Sequence, residues 1–165
     1  MDQRAAQLER VNAQLRDLYG PLLSCVTASK ATFDAMLRQH APGGTAAGIS
    51  SAYAEDPSSG AAKAYRSWVQ EVFSPLNERA AELIITHADL LDSAEIDASL
   101  LQLVAHVSAG RIAISRWQHG DFTSRNPITY PDEIHAAVTE DFLVLKQRQA
   151  VLLGQPLLSK RAARL

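Results

Sequence analysis

Apolar side chains recur at helical spacing through the first quarter of the chain. Leu8, Val11, Leu15, Leu18 and Leu22 follow at intervals of three, four, three and four, and Cys25 and Val26 extend the row. The row then drifts to Phe33, Met36 and Leu37, as a period nearer 3.6 than 3.5 makes it drift. Arg4, Glu9, Arg10, Arg16 and Asp17 lie between these positions, so the pattern predicts a long amphipathic helix over residues 3–39. A second helix is predicted over about residues 63–91, with Tyr65, Trp68, Val69, Val72, Leu76, Ala80, Leu83, His87 and Leu90 on one face. The third runs from Asp97, a candidate N-cap, to Trp117 and stops at His119-Gly120. Leu100, Leu101, Leu103, Val104, Val107, Ile112 and Ile114 make it apolar nearly all round, which predicts burial on several sides. Tyr130-Pro131-Asp132-Glu133 announces the fourth, with proline and acids suited to a first turn. Its stripe is Ile134, Val138, Phe142, Leu145, Gln149 and Leu152, and Gly154-Gln155-Pro156 ends it.

Residues 40–62 break the periodicity: half of the eight glycines fall there, with Pro42 and Pro57, and the stretch reads as a flexible loop. The fold class expected is therefore all-α, an antiparallel four-helix bundle occupying residues 1–154 as one domain. Tyr19-Gly20-Pro21-Leu22 and Phe73-Ser74-Pro75-Leu76 place a proline near the middle of the first and second helices. Each removes a backbone hydrogen bond and displaces the carbonyl four residues back, which predicts a kink at similar heights in two antiparallel neighbours. The kinks serve either to wrap long helices around a core or to open a waist for a ligand.

Composition agrees with helix: 27 alanines stand against few glycines, prolines and aromatics. Sixteen basic and eighteen acidic side chains give a net charge of −2, which is no electrostatic footprint for nucleic acid. The balance is uneven, because residues 155–165 carry Lys160, Arg161 and Arg164 and no acid, a short basic tail. One cysteine excludes an intramolecular disulfide, the N-terminus has no signal-peptide pattern, and the apolar stretch Leu100–Val107 falls short of a membrane span. A cytoplasmic protein without membrane or nucleic-acid partners is expected.

Catalytic and metal signatures are missing. No Glu-x-x-His or His-x-x-x-His occurs, no Gly-x-Ser-x-Gly elbow, and Pro42-Gly43-Gly44-Thr45 lacks the ending of a phosphate loop, so no metal or cofactor is expected. Ser115 and His119 are four apart, but no carboxylate is placed to orient the histidine. Polar residues set into apolar surroundings are the remaining candidates for a ligand site: His87 on the second helix, and His106, Arg111 and Trp117 on the third. Their acidic partners would be Glu71, Glu78, Asp89 or Asp121.

The segments Leu15-Arg16-Asp17-Leu18-Tyr19-Gly20-Pro21-Leu22, Phe73-Ser74-Pro75-Leu76-Asn77, His87-Ala88-Asp89-Leu90, Ala105-His106-Val107 and Arg116-Trp117-Gln118-His119-Gly120-Asp121-Phe122 resemble small helical bacterial proteins described only as hypothetical. The resemblance implies no activity. Two functional expectations stand: an interaction module that self-associates as a homodimer along the stripe of the first helix, or a small-molecule-binding protein or enzyme with its pocket between the second and third helices near His87 and His106.

Overall fold

The computed structural model describes residues 2–156, and each regular element among them is helical. There are five helices: α1 over residues 3–40, α2 over Ala46–Glu55, α3 over residues 60–86, α4 over Ala98–Gln118 and α5 over Ile134–Leu152. The all-α class stands, with one more helix than the pattern predicts. Lys160, Arg161 and Arg164 of the basic tail lie outside the described residues.

The additional helix corrects the expectation of a flexible loop at 40–62. Thr45 caps α2, its hydroxyl accepting from the Gly48 N–H at 3.0 Å, and Ile49 and Tyr53 supply a buried edge four residues apart. Gly43 and Gly44, at φ of 67° and 68°, turn the chain out of α1. Pro42, Gly43, Gly44, Pro57 and Gly60 flank this helix or open the next one, and Gly48 alone falls inside it, in its first turn.

Each mid-helix proline follows a π turn. Gln14–Tyr19 precedes Gly20-Pro21, and Val69–Phe73 precedes Ser74-Pro75. The Gly20 N–H donates to the Leu15 carbonyl and the Ser74 N–H to the Val69 carbonyl, five residues back. Admitting one extra residue in this way puts the proline in the first turn of the next α-helical stretch, where its missing N–H costs no bond. The two turns are not level, contrary to the sequence expectation. α1 and α3 run antiparallel, with Ser29 bonded to Asn77 at 3.2 Å and Phe33 against Phe73. Continuing that register sets Pro21 opposite Ile85, about 15 Å along the helix from Pro75.

Two apolar cores share α1 and α3. The larger joins Val11, Leu15, Leu18 and Leu22 of α1 to Ala80, Ala81 and Ile84 of α3, Leu100, Leu103 and Val107 of α4, and Ile134, Val138 and Leu145 of α5. The smaller gathers Met36 and Leu37 of α1, Ile49 of α2 and Phe73 of α3. α5 lies antiparallel to α1, fixed by Gln149 donating to Asn12 at 2.7 Å and Arg4 donating to the Leu152 carbonyl at 2.9 Å.

α4 packs chiefly on α3 and only lightly on α5. Leu100, Leu103, Val107, Ala113 and Trp117 face inward, while Leu101 and Ile112 are 50% and 59% exposed. The expectation of burial on several sides is corrected to burial on one. The short-stretch argument against a membrane span also changes, because α4 has 21 residues and contains an 18-residue stretch of mean hydropathy 1.2, long and apolar enough to cross a bilayer by length and composition.

Candidate functional site

α4 carries three of the four residues singled out from sequence, and the structure sends them to different neighbours. His106 turns toward the segment between α4 and α5. Its Nδ1–H donates to the Ile128 carbonyl at 2.6 Å; because that carbonyl only accepts, Nδ1 holds the proton of the neutral ring. Asn126 completes the clasp, donating to the His106 carbonyl at 2.9 Å and accepting from the Ile128 N–H at 3.0 Å. Tyr130 meets the imidazole edge-on. Burial holds the His106 pKa below its ordinary value, with the Ile128 hydrogen bond opposing. Gly110 belongs to the same clasp, since a Cβ there would stand 3.0 Å from Asn126 Nδ2. The close approach at Gly110 is thus to the 119–133 segment.

Trp117 serves that segment from the next turns of α4. Its Nε1–H donates to the Ser124 carbonyl at 2.7 Å, and Tyr53 of α2 donates to the Phe122 carbonyl at 2.6 Å. Tyr53, Tyr65 and Trp117 follow one another edge to face. Arg66 reaches in from α3, its guanidinium 4.3 Å from the Phe122 ring centre and donating to the Pro57 carbonyl at 2.5 Å. These side chains satisfy backbone acceptors that an irregular segment would otherwise leave unpaired.

Arg111 points the other way, onto the surface, where it meets Glu78 of α3 at 3.5 Å. It is the one candidate that pairs with an acid the sequence proposes. Arg111 and Glu78 border an open groove of about 360 Å³ between α3 and α4, which Glu71, Pro75, Ser115 and Gln118 also line. His87 ends the α-helical part of α3, half-buried, with its N–H on the Leu83 carbonyl, near Asp17 of α1. His87, His106, Arg111 and Trp117 therefore do not converge, and His87 and His106 share no ligand position. His119 bonds the backbone carbonyl of Ser115 at 2.7 Å rather than its hydroxyl, so that pair forms no nucleophile–base contact. No cluster of three metal-ligating side chains occurs among the described residues. A second open hollow, about 310 Å³, lies against α1 between Arg10, Gln14 and Arg148.

The 3-4 row of α1 is not a free seam either. Val11, Leu15, Leu18 and Leu22 are all buried within the chain. A row of the same rhythm does lie open on α4: Ala98, Leu101, Ala105, Ser108, Ile112 and Ser115, at intervals of three, four, three, four and three, are each exposed. The sequence signal for it is this spacing, hidden inside a helix that reads as apolar all round. Comparison with protein-family models, curated proteins and solved structures returned no match to this chain.

Proposed function

We propose that this chain is a helical interaction module whose contact surface is the outer face of α4, mounted on a body in which α1, α3, α4 and α5 form an antiparallel four-helix bundle. The observation that carries this reading is the exposed row on α4. Two large aliphatic side chains and two alanines stand on it in strict 3-4 order, with no charge between Ala98 and Ser115 on that row. The proposal moves the contact away from α1, whose own row fills the core. The alternative, small-molecule binding between α3 and α4, has the open groove in its favour but does not include His87, His106 or Trp117 in its lining.

A nitroxide on Ser108→Cys tests the reading. The native Cys25 is buried and its thiol is pushed up by that burial, so the added cysteine labels selectively. The label is expected to be immobilised either in the purified protein at tens of micromolar or on adding an extract of the source cells, and to be freed again by Leu101→Glu with Ile112→Glu. A label that stays fully mobile in both settings overturns the reading.

A further inference from the structure

Resting on that reading of the outer α4 face, we infer that the face binds a second copy of this chain, α4 against α4, antiparallel. The row is close to palindromic about a point between His106 and Val107. Reversed, it sets Leu101 against Ile112 of the second copy, Ala105 against Ser108, and Ala98 against Ser115. Large residues meet on either side of the centre, and small ones meet at the centre itself and again at the two ends, so the two backbones can approach closely at the middle of the row. A two-fold contact needs such self-complementarity, because each residue meets its counterpart twice.

Charge selects the same direction. No acid occurs within Ala98–Gln118; Asp97 and Glu95 precede the helix, while Arg111 and Arg116 lie in its second half. Antiparallel pairing about the same centre brings Arg116 level with Asp97 of the second copy. Arg116 is exposed, with no carboxylate within 4.0 Å of it among the described residues. A parallel pair would set base against base and acid against acid, and would align the helix dipoles unfavourably.

The row spans about 26 Å of helix. A contact that short, with alanine and serine at four of its six positions, buries less than the roughly 1,200 Å² of a standard stable interface, so the dimer is reversible and micromolar. Its test joins mass with orientation. Sedimentation of the full chain is expected to rise from 17.9 kDa toward twice that value over tens to hundreds of micromolar. Leu101→Glu with Ile112→Glu is expected to weaken association at least tenfold with an unchanged circular-dichroism spectrum, and Arg116→Glu to weaken it less, with part of the loss recovered in high salt.

Orientation is read by mixing a tagged Ala105→Cys chain with an untagged Ser108→Cys chain under mild oxidation. Antiparallel packing gives chiefly the mixed disulfide dimer, because position 105 of one copy faces position 108 of the other and neither faces itself; like-with-like dimers of each variant overturn the antiparallel arrangement. A monomeric mass throughout overturns the second copy as partner. If the Ser108→Cys label is then still immobilised by extract, the module reading survives that failure; if it is mobile in extract too, both fall.

Discussion

Arg66 carries its charge to a position only 6% exposed, with no carboxylate partner among the described residues. What balances it is a carbonyl at Pro57 and the faces of Phe122 and Tyr53, a set that suits a flat, weakly hydrated guanidinium. Arg66→Lys keeps the charge but loses the stacking, and is expected to cost about 2 kcal/mol in urea unfolding. His106 gives a pH dependence. Its folded pKa lies below the unfolded value, so the unfolded chain takes up the proton first as pH falls. The stability tied to it is complete above about pH 6.5, the ordinary histidine value, and is lost as pH drops through and below it. Unfolding free energies of wild type and His106→Leu at pH 7.5 and 5.5 should differ in slope, with the shallower dependence in the variant; equal slopes would remove this role. At this scale the caps and stops were legible: Asp97 accepts from the Ser99 N–H, and Gly120 and Gly154 sit at positive φ after helix ends. The partners of His106 were not, because they are a backbone carbonyl and an asparagine about twenty residues on, which no helical spacing connects.

The two prolines sort what was legible among elements. Their presence in α1 and α3 predicts a disturbance, but not that the helix meets it by admitting one extra residue. That residue also alters the facing of α3: Arg66, Phe73, Asn77, Ala81 and Ile84 are buried, a set containing two polar side chains that an apolar stripe cannot predict. If the π turn holds one surplus residue, removing it together with the proline should restore an unbroken α-helix in the same register. Deleting the exposed Glu71 with Pro75→Ala is therefore expected to melt within a few degrees of wild type. Deleting one residue from the α-helical stretch after Pro75, such as the exposed Arg79, rotates Ile84 out of the core by about 100° and should unfold the chain. Thermal melts of both variants check this. α2 escaped sequence reading because only Ile49 and Tyr53 mark its buried edge, too few for a period, between proline–glycine clusters that look like loop.

Across the whole molecule, the fold class follows from alanine-rich composition and stripes that the larger core uses almost as drawn on α1 and α5, though not on α3. The free surface does not follow from the same pattern. An apolar row looks alike whether the chain covers it or leaves it open, and here the row on α1 is covered while that on α4 is not. Which one is left over depends on how α3 and α5 divide their packing between their neighbours, a property of the assembled molecule.

The clasp of Arg4 on the Leu152 carbonyl brings the start of α1 and the finish of α5 to one edge, the edge near Leu90 and Asp92 from which α4 sets out. In an antiparallel α4 pair those edges lie at opposite poles. The Arg4 end of α1 and the Leu152 end of α5 of each copy would then stand together at one pole, two helix ends at each pole and none at the centre. Such a dimer would hold its two pairs of helix ends apart rather than bring them together.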